Sequence, residues 1–389
     1  METAIRWKQR YDGNSDTTGY VDTTARRKNA ADMKVLHGMD DIAGQATYSV
    51  DGLRKNGEDA DLAFWRKNSM GYPGIGWDMH IGKKKLFYPY YILKIFSFFL
   101  LSLFRYDVFH FHFSCSLLPR AWDLLLLKVL HKKTFMEFHG SEIRFCYNRE
   151  KPDYFYTDTI KEAGKLQVRI NDRIFRHIGA CITHDEELRK HIPAEKLYIT
   201  PLRIDLTRFV PHYPKPDCKK PVIVHAPSNY LAKGSKYVVE AMERLGKNYE
   251  FEFILVMNKS QEEALRIYKR ADIVIDQLFA QTYGVFAVEA MALGKPVITY
   301  ISDEIRKTFP PELPIFSATT DNLEEVAERL IQNGKMREEA GRAGRSYAEN
   351  YHDNKKVAKM QAEIYRGMIE PMSTLDSFLY VKNIDNENV

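Results

Sequence analysis

Cysteine is scarce: Cys115, Cys146, Cys181 and Cys218 are the only four in 389 residues, far apart in the chain. No CxxC pair exists, which removes the common zinc and dithiol redox motifs. So sparse a set suits a reducing compartment better than a disulfide-stapled secreted one. A charge excess is also missing: Lys plus Arg number 57 and Asp plus Glu 52, for a net charge of +5. Without a local cluster that is no nucleic-acid signature, and no nucleic-acid partner is expected. No apolar run reaches the roughly 18 to 20 residues that cross a bilayer. The first residues lack the basic start, apolar core and small-residue cleavage site of a signal peptide, so a cytoplasmic location is expected. The GxGxxG turn of dinucleotide-binding enzymes is absent too. Asp40-Asp41-Ile42-Ala43-Gly44-Gln45 supplies one glycine, which argues against an oxidoreductase.

With 44% apolar and 28% charged residues the chain is of ordinary globular composition. At about 150 residues per domain its length favours two domains. Residues 1–32 read as a polar extension. From Met33, short apolar runs alternate with amphipathic stretches, the pattern of parallel strands joined by helices. Strands are expected at 33–37, 106–113, 134–138 and 179–183, with helices at 43–55, 117–131 and 159–177 between them. Residues 67–89 are too rich in Gly and Pro to assign. A second α/β series has strands at 221–225, 251–257, 271–276, 295–300 and 313–316 and helices at 234–246, 260–270, 285–293, 321–333 and 335–350. Pro201, Pro211, Pro214, Pro216 and Pro221 mark an exposed junction. The expected domains are 33–214 and 215–353, followed by a helix and tail over 354–389.

Residues 83–105 combine Lys83, Lys84, Lys85, Lys94 and Arg105 with a run of aromatics and leucines, and hold no acidic residue. This fits a helix lying in an anionic membrane interface; the alternative is a buried domain helix beside a solvated lysine loop.

The most informative stretch is ADIVIDQLFAQTYGVFAVEAMALGKPVI, from Ala271 to Ile298. A buried strand ends at Asp276, a polar loop follows, and a helix starts near Gly284. Backbone N–H groups at such a start can hold a phosphate, and Glu289, about a turn and a half inside, is placed to accept from sugar hydroxyls. This stretch resembles the donor-site signature of retaining glycosyltransferases of the GT-B fold, family 4, in which two glutamates eight positions apart flank a Phe-Gly. Here the pattern reads Gln281, Tyr283, Gly284, Val285, Glu289. The resemblance implies that Glu289 binds the nucleotide ribose and that Gln281, in place of the first glutamate, contacts the transferred sugar as a neutral amide.

Three further segments fit the resemblance. His225-Ala226-Pro227-Ser228-Asn229 followed by Lys233-Gly234-Ser235 is similar to the loop that clamps the donor diphosphate. This implies that Lys233 grips phosphate with Ser228 and Asn229 nearby, while Pro227 stands where the family has an arginine. Arg203 is the candidate to supply the missing charge. Gly44 and Gln45 match the family's glycine loop, with Ala43 in place of the first glycine. Phe138-His139-Gly140-Ser141-Glu142-Ile143-Arg144 follows a strand. By resemblance His139 lies beside the transferred sugar and acceptor, with Ser141 and Arg144 as cleft candidates. His110 and His112 point to one strand face and raise a metal pair, but no third ligand is evident and packed histidines are favoured.

The expected protein is α/β, of GT-B fold, with two Rossmann-like domains facing across a cleft. The resemblance implies a retaining hexosyltransferase with His139, Lys233 and Glu289 as its catalytic candidates. Its donor would be a nucleotide diphosphate sugar, a UDP-sugar first, with no metal or other cofactor. Its acceptor would be a glycan or lipid-linked glycan at the inner face of the membrane, in surface polysaccharide or glycolipid synthesis. The alternatives are a non-catalytic sugar- or nucleotide-binding relative and, resting only on Asp59-Ala60-Asp61, a metal-dependent GT-A transferase.

Overall fold

Consecutive β-branched and aromatic residues, apolar on both faces, build two wholly parallel sheets covered by helices. The computed structural model describes residues 33–65, 76–82, 85–147 and 158–385. The polar extension 1–32, residues 67–75 of the Gly- and Pro-rich stretch, and Lys83 and Lys84 lie outside the described residues. The first sheet comprises β1 (Lys34–Gly38), β2 (Asp59–Phe64), β3 (Trp77–Asp78), β4 (Val108–His112), β5 (Lys133–Glu137), β6 (Ala180–Thr183) and β7 (Leu197–Ile199). Their order is β3-β2-β1-β4-β5-β6-β7. The second comprises β8 (Val222–His225), β9 (Glu252–Leu255), β10 (Ile273–Ile275), β11 (Val297–Thr299) and β12 (Ile315–Ser317), ordered β12-β11-β10-β8-β9. Both orders reverse direction beside the first strand of the lobe, the topological switch that opens a ligand crevice at the carboxyl ends of the strands.

Three strands of the first sheet, β2, β3 and β7, escape the sequence pattern. β2 (DADLAF) begins with two carboxylates, and β7 is only three residues long. Asp61 is spent within the lobe: its carboxylate accepts from Arg105 at 2.9 Å and from the Tyr106 hydroxyl at 2.7 Å. That use removes the metal-binding reading of Asp59-Ala60-Asp61. The helix expected over 117–131 is confined to Leu124–Val129, because Asp123 binds the Ser116 hydroxyl and the Leu117 amide and turns the chain there.

The helix Asn354–Arg366 returns from the second lobe and packs on the helix Gln45–Lys55 of the first. Gly52 permits the approach, since a Cβ there would come within 2.2 Å of the Asn354 carbonyl oxygen. The tail forms a further helix, Thr374–Asn383, with Phe378 and Val381 buried. The described residues from Lys34 onward thus pack as one unit.

Helix Tyr88–Arg105 behaves differently from the others. Only Phe99 and Ser102 are buried, while Tyr88, Tyr90, Ile92, Leu93, Phe96, Leu100, Leu101 and Phe104 face solvent. Its cations are not free for lipid: Lys94 donates to the Asp78 carbonyl and Arg105 pairs with Asp61. No helix among the described residues is long and apolar enough to cross a membrane.

Candidate active site

A cavity of about 1570 Å³ lies between the lobes, at the carboxyl ends of both sheets. On the side of the second lobe, β10 runs into the loop 276–284, and the helix Val285–Ala292 carries Glu289 onto the wall. That helix is otherwise apolar (VFAVEAMA), so its one carboxylate is 3% exposed and needs a partner. Gln261 supplies one, donating to Glu289 Oε1 at 3.0 Å while also reaching the Tyr48 hydroxyl at 3.2 Å. Lys233 lines the same cavity, its Nζ 3.3 Å from Asp276 Oδ1 and 2.5 Å from Gln277 Oε1. Ser228, Asn229, Gln281, Tyr283, Gly284 and Val285 complete this wall.

Some of the expected donor groups are already engaged. The Gly284 amide donates to Asp276 Oδ2 at 3.2 Å, and the first turn beyond it has no side-chain cap. Tyr283 is turned inward, its hydroxyl 3.3 Å from His352 Nε2. On the opposite wall Ile42, Ala43 and Gln45 reach the cavity but Gly44 does not; its φ of 76° instead lets it cap the helix Gln45–Lys55. The Gln45 amide group is committed to the Arg203 backbone, donating to its carbonyl at 3.0 Å and accepting from its N–H at 3.1 Å.

Arg203 corrects a sequence expectation. It is fully buried, away from the cavity wall, with Nη2 at 2.7 Å from both oxygens of the equally buried Glu137. An arginine so held neutralises a buried carboxylate and is not available to a phosphate. Ser141 and Arg144 do line the cavity, although Arg144 is salt-bridged to Glu187.

His139 also lines the cavity and is one of a cluster of histidines. Register creates the cluster: β1 and β4 pair His37 with His110, and β4 and β5 pair His112 with Glu137. His139 and His184 follow the ends of β5 and β6. Burial holds the His139 imidazole down at about 3 and that of His184 at about 4, so both are neutral near pH 7. Glu137 stays well below the usual carboxylate range: burial opposes its charge, but Arg203 and the surrounding histidines outweigh it.

Two sets, His37–His110–His112 and His112–Glu137–His139, bring potential metal-ligand atoms within 4.8 Å of one another. The nitrogens already pair ring to ring, His37 Nδ1 with His112 Nε2 at 3.0 Å and His112 Nδ1 with His139 Nε2 at 3.1 Å. Arg203 further supplies the cation that Glu137 requires, so the donor set fits a hydrogen-bonded network better than a metal. His110 and His112 are accordingly packed members of this network. Sequence reasoning missed His37, Glu137, His184 and Tyr365 because only sheet order and the returning helix bring them together.

The chain resembles solved structures over most of its length. Sucrose-phosphate synthase from Thermosynechococcus elongatus is 17% identical, with 87% of this chain and 99% of that chain covered at a TM-score of 0.59. Anabaena HepE in complex with UDP-glucose is 12% identical, covering 86% and 100% at 0.60. The catalytic domain of starch synthase IV from Arabidopsis thaliana, bound to ADP and acarbose, is 13% identical, covering 86% and 99% at 0.58. No curated protein matches the sequence. These likenesses define the class by its fold: GT-B, with two Rossmann-like lobes across a cleft. Residues 247–347 match the family model described as Glycosyl transferases group 1, a span that includes Gln261, Gln281 and Glu289. The match is confined to this stretch of the second lobe, within a chain whose fold over most of its length is GT-B.

Proposed function

We propose that the protein transfers a hexosyl group, with retention at the anomeric carbon, from a nucleotide diphosphate sugar to an acceptor hydroxyl in the cleft. The observation that carries this reading is the presence of Glu289 and Lys233 on one wall of one cavity, each preorganised by a partner amide, Gln261 and Gln277. Glu289 accepts from the ribose hydroxyls and Lys233 meets the diphosphate. The leaving diphosphate gains negative charge as the glycosidic bond breaks, so Lys233 and the first turn of the Val285–Ala292 helix stabilise the transition state more than the ground state. The acceptor attacks from the face the diphosphate leaves, which requires no protein nucleophile. His139, a neutral ring, positions the sugar and acceptor by hydrogen bonding. Gln281 contacts the sugar without adding charge.

A UDP-sugar is the proposed donor, supported by the similarity to a structure that holds UDP-glucose. The exposed apolar face of Tyr88–Arg105 supports an acceptor presented at a membrane surface, a lipid-linked glycan, and hence surface polysaccharide or glycolipid synthesis on the cytoplasmic side. The test is a thermal-shift panel of UDP-, GDP- and ADP-sugars on wild type and Glu289→Ala. One donor is expected to raise the wild-type Tm, with most of that shift lost in the variant. A flat response to every donor in the wild type overturns the reading.

A further inference from the structure

Seven polar contacts run in series from Glu137 to the Thr200 carbonyl. They join Glu137 to His110 (2.9 Å), His110 to the Tyr365 hydroxyl (2.5 Å), Tyr365 to His37 (3.2 Å) and His37 to His112 (3.0 Å). The series continues from His112 to His139 (3.1 Å), His139 to His184 (3.2 Å) and His184 to Thr200 (3.3 Å). Every ring uses one nitrogen for each neighbour. The His110 contact to Glu137 is bent, but a ring lone pair at 2.9 Å from a carboxylate would repel it, so this end also calls for an N–H. Both termini are therefore acceptors.

A neutral imidazole carries one N–H and a phenol one O–H. Five imidazoles and one phenol hold six hydrogens for seven links, so the neutral series is one hydrogen short. Burial keeps all five rings neutral, pushing His37, His110 and His112 below the ordinary histidine value along with His139 and His184.

We propose that the series is a proton-accepting relay: it takes up one proton when a nucleotide diphosphate enters the cleft and holds it at the cleft end, on His184 and His139. This rests on the nucleotide-binding reading above. Only those two members line the cavity, and His184 makes the longest of the seven contacts. The charges facing them are nearly balanced. Glu137 is offset by Arg203 and Glu187 by Arg144. Buried Asp185 accepts the Thr282 hydroxyl, buried Glu142 accepts the His139 backbone N–H, and the nearby His352 is neutral. An added polyanion tips that balance toward protonation. The proton supplies a cation in a cleft where Pro227 stands in the expected arginine's place and Arg203 is committed to Glu137.

The experiment is titration calorimetry of UDP into the full chain in buffers of different ionisation enthalpy. Uptake is expected to rise toward about one proton per UDP as pH is lowered from about 7.5 to about 6. Tyr365→Phe cuts the series, leaving four rings for four links between His37 and Thr200, all satisfied by neutral imidazoles pointing toward Thr200. That variant is expected to bind UDP with no proton uptake, whereas a merely structural Tyr365 would leave uptake unchanged. Wild-type binding heat independent of buffer overturns the relay; no binding heat at all overturns the nucleotide reading instead. Long-range ¹H–¹⁵N histidine spectra of the wild type give a readout that needs no variant. One ring is expected to gain its second N–H on UDP addition, and no change in any ring, or a divalent metal bound stoichiometrically in place of the N–H links, overturns the proposal.

Discussion

Thr282 donates its hydroxyl to the Asp185 carboxylate at 2.7 Å, and the two residues belong to opposite lobes. Thr282 sits in the loop leading to the Glu289 helix, and Asp185 caps the short helix after β6, accepting also from the Leu188 amide. Burial raises the Asp185 carboxyl above its ordinary value, so this bond forms where an unpaired acceptor is costly. The contact ties the loop before the Glu289 helix to the first-lobe wall of the cleft.

Thr282→Val keeps the shape and removes the bond. Losing one hydrogen bond to a buried carboxyl is expected to cost about 1–3 kcal/mol. Part of that cost should appear as a lower Tm and part as a several-fold rise in donor KM, since the loop is no longer held against Asp185. Steady-state kinetics with the donor found in the thermal-shift panel checks it; an unchanged KM would mean that the latch plays no part in binding.

Lys233→Ala tests the leaving-group role. Removing a preorganised group of this kind typically lowers kcat by about 10² to 10³. Because the stabilised charge develops in the transition state, kcat should fall more than KM rises. The variant also strips Asp276, 1% exposed, of its ammonium partner, so Tm must be measured alongside to separate folding from catalysis. A kcat within twofold of wild type in a folded variant is incompatible with the role.

How much of this was readable beforehand follows from where each signal lives. The strand–loop–helix around Glu289 is local, and hydrophobic pattern and loop chemistry both lie within 28 consecutive residues, Ala271 to Ile298. Lys233 follows its strand in the same way. Arg203 was misjudged because its partner, Glu137, lies 66 positions away and is reached only through the sheet. His37 and Tyr365 are 328 positions apart, and no spacing rule joins them. The strands β2, β3 and β7 were missed because two are very short and one opens with acidic residues, which depress strand propensity.

The Tyr88–Arg105 helix predicts a membrane phenotype. Phe96, Leu100 and Leu101 are about half exposed, and each would gain about 1 kcal/mol if fully buried in lipid. Replacing all three by serine is expected to abolish co-flotation with lipid vesicles. Turnover of a water-soluble acceptor should persist, because none of the three lines the cleft. Flotation equal to wild type would transfer the apolar face to another kind of partner.

Acid should destabilise the protein well above the range in which carboxylates ordinarily protonate. His139 is held at about 3 and His184, His225 and His352 at about 4, while His37, His110 and His112 are also depressed; burial is the first cause in every case. Below about pH 6.5 these seven rings take protons in the unfolded chain but not in the folded one, so stability falls with pH. Four carboxyls act in the opposite sense: burial raises Asp123 to about 6 and Glu142 to about 7, and lifts Asp41 and Asp185 above their ordinary values, so the folded state takes up those protons first and gains stability as they bind. Seven rings against four carboxyls still leaves the unfolded state binding more protons between about pH 6.5 and 5. Each unmatched group contributes about 1.4 kcal/mol per pH unit once it titrates fully. Calorimetric Tm should therefore drop steeply over that interval, and a Tm that holds level or rises would show that the histidines are not buried neutral.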